Sequence, residues 1–227
     1  KNVLKMEQKT MSINKVVESL LDSKPFIRDA FKENIANYSG IARNLTPEIK
    51  RILGRRSINP EAVIMAVKRY AEKSINDVDR KKISALISKC DIRLKGNIVN
   101  VVLSKSDKNY ALALAAYKKV NWQAGEIIHV YQSLTEIAVM VDTANQKLFS
   151  RAKPVHVNSN LAMVTLKTPK QAVESVGFIY YILGILARNG VAVVDIISTY
   201  TELNIILKEQ DGAKVYNLLF NEIKYVK

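Results

Sequence analysis

The sequence predicts an α+β protein in which an all-helical N-terminal domain precedes two small domains with antiparallel sheets. Residues 12–90 carry apolar side chains at spacings of three and four, which is typical of amphipathic helices. Residues 91–227 contain two similar blocks in which β-branched strands alternate with helical stripes. We therefore assign a helical domain to residues 1–90 and two α+β domains to residues 91–153 and 154–227.

Composition limits the class of protein. The chain has 227 residues, of which 48% are hydrophobic, so it has enough apolar side chains to form a core. No apolar run reaches the roughly 20 residues that span a bilayer, and the first ten residues lack the apolar centre of a signal peptide. The single cysteine, Cys90, excludes an internal disulfide. These features predict a cytoplasmic protein that does not associate with membranes.

Positive charge is concentrated in the helical domain. Residues 1–90 hold 19 Lys+Arg against 10 Asp+Glu, a net charge of +9, whereas the whole chain has a net charge of +14. Such an excess favours association with nucleic acid. A short helix, Ser39–Leu45, ahead of a longer one, Pro60–Lys73, resembles a helix-turn-helix unit whose second helix would be the recognition helix. The candidate nucleic-acid-binding residues are Lys50, Arg55, Arg56, Lys68 and Arg69.

Two alternatives to DNA binding stay open for this domain. Runs of Lys and Arg are common on solvated helix faces, and a plain helical bundle would serve packing or dimerisation equally well. The predicted connection Thr46–Asn59 is also longer than the turn of a standard helix-turn-helix unit.

An internal repeat dominates the rest of the chain. Ile92–Leu103 matches Val155–Leu166 at an offset of 63 residues, and Asn97 pairs with Asn160 in this match. A second match, at an offset of 66, places Thr135-Glu136 opposite Thr201-Glu202. Helical stripes lie between the two matches, at Tyr110, Leu114, Tyr117 and Val120 and at Ile179, Ile182, Leu183 and Leu186. With a further helix after each unit, the repeat predicts two ferredoxin-like (βαββαβ) domains.

The second unit carries a pattern that resembles a known family. A helix ends at Gly190, an apolar strand follows, and Ser198-Thr199 and Glu202 precede the next strand. This order resembles the ACT domains of the aspartokinase regulatory type, and the first unit resembles a more divergent copy. The resemblance covers about residues 91–227 and implies the sensing of a small-molecule effector, usually an amino acid. It also implies a homo-oligomer in which ACT sheets associate side by side.

The resemblance also implies where a ligand would bind: the loop between the first strand and first helix, and the following strand. In the second unit these positions are Thr168, Ser175, Gly177, Asp195, Ser198 and Thr199; in the first they are Ser104, Ser106, Asp107, His129, Gln132 and Ser133. A helix N-terminus favours an α-carboxylate, and a carboxylate such as Asp195 could pair with an α-ammonium group. A structural hydrogen bond is the alternative role for Asp195.

Motifs for catalysis are not found. The sequence contains no kinase module, phosphate-binding Gly-x-x-x-x-Gly-Lys-[Ser/Thr] loop or dinucleotide fingerprint, and its two histidines and single cysteine do not suggest a metal site. We therefore expect a non-enzymatic regulator of amino-acid metabolism without cofactor, metal or catalytic residues, whose N-terminal domain acts on DNA. The alternatives are a non-catalytic regulatory subunit that binds an enzyme of amino-acid metabolism and an oligomerisation scaffold with an inert ACT pair.

Overall fold

A computed structural model of the protein describes residues 11–74 and 80–225. The chain divides into two units, Lys1–Asp79 and Arg80–Lys227. The first unit holds the helices α1 (Ile13–Asp22), α2 (Pro25–Lys32), α3 (Tyr38–Leu53) and α4 (Pro60–Ser74). The second unit begins with α5 (Arg80–Ile87), so this helix groups with the sheet rather than with the four helices before it.

The second unit alternates strands and helices in the predicted order. Its first half contains β1 (Asp91–Ser104), α6 (Asp107–Tyr117), β2 (Ile128–Gln132), β3 (Glu136–Asp142) and a 3₁₀ helix, Thr143–Ala152. Its second half contains β4 (His156–Lys167), α7 (Phe178–Arg188), β5 (Val193–Ser198), β6 (Glu202–Lys208) and α8 (Gly212–Tyr225). The predicted α+β class, with helices first and antiparallel sheet after, is confirmed.

Apolar burial organises the helical unit. Helix α4 packs against α1, α2 and α3, and its Val63 and Val67 are fully buried. The Tyr70 hydroxyl donates a hydrogen bond of 2.6 Å to the Asp22 carboxylate, which ties α4 to the end of α1. Ser12 caps α1 by accepting a hydrogen bond from the backbone N–H of Lys15, as a Ser before an apolar stripe predicts.

The helix predicted at Ser39–Leu45 for the helix-turn-helix unit ends later than expected. Helix α3 runs without interruption from Tyr38 to Leu53 and includes Pro47, so the predicted connection Thr46–Asn59 is only residues 54–59. Proline inside a helix costs about 3 kcal/mol because it removes a backbone hydrogen bond. The buried stripe Ala42, Leu45, Ile49 and Leu53 continues through it, and this burial outweighs the local signal to stop.

One antiparallel sheet spans both halves of the second unit. The strand order is β2-β3-β1-β4-β6-β5, in which β1 pairs with β4 at the centre. The first half with β4 has the ferredoxin-like order β2-β3-β1-β4, and the second half with β1 has the equivalent order β5-β6-β4-β1. Each half therefore completes its four-stranded sheet with the first strand of the other half.

The central pair carries two bulges related by the repeat. Between the pairs Lys95↔Met163 and Ile98↔Leu161, β1 has an extra residue; between Ile98↔Leu161 and Asn100↔Asn158, β4 has one. Asn97 and Asn160 lie in these bulges, and each has a φ of 56°. Asn tolerates left-handed backbone better than other residues with a Cβ, which explains why the two asparagines recur in the repeat.

The two faces of the sheet bury different groups. Side chains of β1, β2 and β3, such as Val101 and Val139, pack against α6 and the 3₁₀ helix. On the other face, Ile98, Met140 and Leu161 form a second apolar cluster with Met163 and Ile206. Within the described residues, no helix is both long and apolar enough to cross a membrane.

The helical stripe predicted for the first repeat helix matches its buried face only in part. In α6 the buried residues are Asn109, Ala113 and Ala116, whereas Leu114 is 58% exposed. The small alanines allow the helix to lie close to the sheet, and the larger side chains take the outer face. In α7 the prediction holds for Ile182 and Leu186, which are buried.

We expect the bulge asparagines to be needed for their backbone conformation. Asn160 is exposed, so replacing it acts mainly through its positive φ. Asn160→Val should lower the free energy of unfolding by about 1–2 kcal/mol, because a β-branched residue disfavours left-handed backbone. Urea denaturation of the full chain measures this change.

Asn160→Gly and Asn158→Val are the matched controls. Glycine adopts positive φ freely, and position 158 is paired in regular register with Asn100, so both variants should unfold within about 0.5 kcal/mol of the parent. Equal destabilisation by valine and glycine at position 160 would contradict the conformational explanation.

Candidate functional site

A cavity of about 410 Å³ lies in the second half of the sheet unit. The loop 168–177, the start of α7 and the turn between β5 and β6 form its walls. Five of the residues that the resemblance implied for ligand binding in this half line it: Thr168, Ser175, Gly177, Ser198 and Thr199. The remaining lining residues are Ala172, Val173, Phe178, Ile179, Tyr180, Tyr200, Glu202 and Leu203.

Backbone hydrogen bonds fix the loop to the β5–β6 turn. The N–H of Thr168 donates to the carbonyl oxygen of Thr201 at 2.7 Å, and the N–H of Thr199 donates to that of Glu202 at 2.9 Å. In the first half the N–H of Lys105 donates to Thr135 and that of Ser133 donates to Glu136. The repeated Thr-Glu pair therefore marks the turn that holds the end of the first strand of each half.

Helix α7 begins at the cavity without a side-chain cap. Its N-cap residue is Gly177, which has a φ of 89° and a backbone that only glycine adopts readily. The N–H of Phe178 donates to the Ser175 carbonyl oxygen at 3.3 Å, and the positive end of the helix dipole lies at this first turn. This end of the cavity therefore favours an anionic group.

Glu202 carries the only formal charge among the lining residues. Its side chain is exposed at the first position of β6. Glu202 is not among the ligand residues that the resemblance implies, although the Ser-Thr-x-x-Glu pattern of the second unit ends on it. Within residues 11–74 and 80–225, no group of three His, Cys, Asp or Glu side chains is arranged to hold a metal ion.

Asp195 does not line this cavity. The Tyr131 hydroxyl of β2 donates a hydrogen bond to one of its carboxylate oxygens, and the N–H of Ile196 donates to the other at 2.7 Å. The Asn100 side-chain amide donates in turn to the Tyr131 oxygen at 3.3 Å. Because β2 and β5 are the two outermost strands, this contact joins the sheet edges across the face opposite the helices. We call Asn100, Tyr131 and Asp195 the inter-edge bridge.

Burial governs the titration of side chains on this face. Burial, followed by the hydrogen bond to Asp195 and the charge of that residue, raises the pKa of Tyr131 above its usual value. Burial lowers the pKa of His129, and the charge of Glu202 opposes that shift only in part. The Asn100 side-chain oxygen is buried without a hydrogen-bond partner among the described residues.

In the first half, most of the positions that the resemblance implied for ligand binding form hydrogen bonds within the protein. Ser106 caps α6 by accepting from the N–H of Asn109, and the buried Asn109 amide donates to the Ser104 carbonyl and hydroxyl oxygens. The Tyr110 hydroxyl donates to Gln132 at 2.6 Å, and Ser133 accepts from the N–H of Glu136. Asp107 lies in the first turn of α6, and His129 lies on β2 beside Tyr131.

The predicted nucleic-acid-binding residues lie on two helices and the segment between them. Lys50 is in the last turn of α3, Arg55 and Arg56 follow it, and Lys68 and Arg69 are on α4. All are exposed except Lys50, which is half-buried. In the part of the chain that the structure describes, none of these five forms an ion pair, whereas Arg51 and Lys73 do so with Glu48 and Glu18.

We expect the inter-edge bridge to make the free energy of unfolding depend on pH in the alkaline range. Tyr131→Phe should lower the free energy of unfolding by about 1–3 kcal/mol at pH 7, because one carboxylate oxygen of the half-buried Asp195 loses its donor. The raised pKa means that the folded state holds the Tyr131 proton more tightly than the unfolded state. The bridge's contribution is therefore complete below pH ~10, the usual tyrosine value, and declines as the pH rises further.

Urea denaturation between pH 7 and 11 tests both parts of this prediction, with Tyr110→Phe as the control. Tyr110 makes a similar hydrogen bond, but an exposed one, so its loss should cost less than about 0.5 kcal/mol. The difference between the parent and Tyr131→Phe should shrink above pH 10. A difference that stays constant to pH 11 would contradict the assignment.

Comparisons with known proteins find similar solved structures only. No family model and no curated protein matches the sequence. The aspartate kinase of Clostridium acetobutylicum is 13% identical with a TM-score of 0.48, over 59% of this chain and 34% of that chain. The regulatory subunit of aspartate kinase from Thermus thermophilus is 10% identical with a TM-score of 0.47, over 59% and 97%.

A third similar structure is E. coli aspartokinase III in complex with lysine and aspartate. It is 17% identical, with a TM-score of 0.44, over 59% of this chain and 32% of that chain. The chain thus spans about a third of the length of the two kinases and nearly the whole of the Thermus regulatory subunit. Similarity at this level carries no information about ligand or activity.

Proposed function

We propose that this protein is a non-enzymatic, self-associating regulator of amino-acid metabolism that binds an amino acid in the cavity beside α7. The observation that carries the proposal is the convergence of Thr168, Ser175, Gly177, Ser198 and Thr199 on one cavity. These residues come from the loop that ends at Gly177 and from the turn at Ser198 and Thr199, which α7 and β5 separate, and the ACT resemblance implied them independently of the structure. The cavity volume of about 410 Å³ lies in the usual range for small-molecule sites.

The charges of the cavity suit a zwitterion. An α-carboxylate would lie at the start of α7, where the helix dipole is favourable. An α-ammonium group would pair with the carboxylate of Glu202. The hydroxyls of Thr168, Ser175 and Thr199 provide further hydrogen-bonding groups around the backbone of the ligand.

The same walls define which side chain the amino acid should carry. Apart from Glu202 the lining has no charged residue, and Ala172, Phe178 and Leu203 are buried and apolar. A lysine or aspartate side chain would lose hydration here without gaining an ion pair beyond those of the α-groups. We therefore propose an effector with an uncharged, mainly apolar side chain, such as valine, leucine or isoleucine.

Glu202→Gln should weaken amino-acid binding at least tenfold, because it removes the counter-charge of the α-ammonium group and keeps the size of the side chain. Isothermal titration of the full chain with valine, leucine and isoleucine, and with lysine and aspartate, measures the affinities. A ligand at 100 times its dissociation constant also stabilises the folded state by about 2.7 kcal/mol, which a thermal-shift assay detects.

Glu136→Gln is the matched control, since Glu136 occupies the equivalent turn of the first half and should leave the affinity unchanged. A parent protein that binds no amino acid at millimolar concentration would overturn the proposal. Preferred binding of lysine or aspartate would overturn only the assignment of side-chain class.

We further propose that the helical unit delivers the output of this sensor to DNA. Arg55, Arg56, Lys68 and Arg69 are exposed and have no acidic partner among the described residues, which leaves them available for phosphate contacts. The segment 54–59 between α3 and α4 is also shorter than the sequence suggested. Effector binding would regulate DNA binding if the protein has two conformations that differ in their affinity for the effector.

Binding to a 30-base-pair duplex should weaken steeply with salt, because each neutralised phosphate contributes about −0.9 to the slope of log affinity against log salt. Replacing Arg55 and Arg56 together by Gln should reduce that slope by about 2. Fluorescence anisotropy between 50 and 200 mM NaCl measures both values. The control is the double change of Lys118 and Lys119 to Gln, an adjacent exposed pair in the sheet unit. No binding at 50 mM NaCl would favour a regulatory subunit that acts on a protein partner.

A further inference from the structure

A second cavity, of about 440 Å³, lies in the first half of the sheet unit. It opens between the 3₁₀ helix Thr143–Ala152 and the N-terminal end of β4. Its apolar lining comes from Val101, Phe149, Pro154 and Val157 together with Ala144. Its polar lining comes from Thr143, Gln146, Lys147 and Ser150.

The repeat explains why this cavity exists. In the second half, the 14-residue α8 follows the last strand and packs against β1, β4, α5 and α7. In the first half the equivalent position after β3 holds only the ten-residue 3₁₀ helix, which packs against β1, β3 and α6. Side chains at the start of β4 consequently stay uncovered: Val155, just before the strand, is 60% exposed, and Val157 is 36% exposed.

All charges on the segment around the cavity have the same sign. Residues 143–157 contain three Lys and Arg residues and no Asp or Glu. Of these, Lys147 lines the cavity, and Arg151 and Lys153 are exposed on the same segment. None of the three forms an ion pair within the described ranges 11–74 and 80–225.

We propose that this cavity is a binding site for a small organic anion with an apolar body, such as an aryl- or alkyl-carboxylate. The apolar walls contributed by Phe149, Pro154 and Val157 would bury the body of the ligand. Lys147 would meet its anionic group, and Gln146 and Ser150 would supply hydrogen bonds. Neither feature suffices alone, because an exposed ion pair contributes little in water and an uncharged ligand gains nothing from the basic rim.

This site differs from the cavity beside α7 in the sign of its charge. There the only charged lining residue is Glu202, which would repel an anion that has no ammonium group. Here the only charged lining residue is Lys147, which would repel an ammonium group. The two halves of the repeat would therefore bind different classes of ligand, so that one chain could respond to an amino acid and to an organic acid.

The test uses 3-phenylpropanoate and, as its uncharged equivalent, 3-phenylpropan-1-ol. Two-dimensional NMR of the full chain should show shifts at Lys147, Phe149 and Val157 on addition of the acid. The acid should bind at least fivefold more tightly than the alcohol. Lys147→Glu should weaken binding of the acid at least tenfold. Lys89→Glu, which makes the same charge change just before the other end of β1, should alter the affinity less than twofold.

Ala144→Trp tests the volume of the cavity. Ala144 is an exposed lining residue, so a large side chain there should fill the cavity without disturbing the core, and binding should be lost while the melting temperature is kept. Three results would overturn the proposal: no shifts at 10 mM acid, equal affinity for acid and alcohol, or shifts confined to the residues around Ser175 and Ser198.

Discussion

The antiparallel pairing of β1 with β4 is the interaction on which the rest of the sheet unit depends. It joins the two repeats into one six-stranded sheet and gives each repeat the fourth strand that its own sequence lacks. Without this pairing, each half would expose the hydrogen-bonding edge of a long apolar strand, which is a liability in water. The side-by-side association of sheets that the ACT resemblance implied between chains is therefore present within a single chain.

The central pairing also determines where the inter-edge bridge forms. With β1 and β4 at the centre, β2 and β5 become the outermost strands, and Tyr131 of one half reaches Asp195 of the other. Asp195 lies three residues before Ser198, which lines the cavity beside α7. A movement of β5 on ligand binding would consequently alter the hydrogen bond between Asp195 and Tyr131. This gives the proposed sensor a physical connection between its halves.

The sequence predicted the order of the elements well, because each depends on a local pattern. The match of Asn97 with Asn160 marked a position common to both repeats, but the bulges and the positive φ at these residues were not predicted. The partner of an apolar strand is not a local property, so the β1–β4 pairing could not be read from periodicity. The predictions at Pro47 and at the alanines of α6 were wrong because tertiary burial outweighs local propensity there.

For the candidate site, the family pattern located the loop and turn but not the roles of the residues in them. The pattern grouped Asp195 with Ser198, yet alternate residues of a strand point to opposite faces, and the bulge between Val193 and Asp195 changes the register further. Asp195 therefore faces Tyr131. Glu202 is the charged residue among those that line the cavity. The hydrogen bonds that close the first half depend on Asn109 and Tyr110, which no family pattern marked.

The difference between the halves follows from where each one has its long loop. In the first half only residues 105 and 106 separate β1 from α6, and the long loop, 118–127, comes after the helix. In the second half the ten residues 168–177 precede α7, and the short loop, 189–192, comes after it. A two-residue link leaves no room between strand and helix, so Ser106 and Asn109 bond to their own backbone. A ten-residue link moves the helix start away from the strand, and the space it opens is the cavity beside α7.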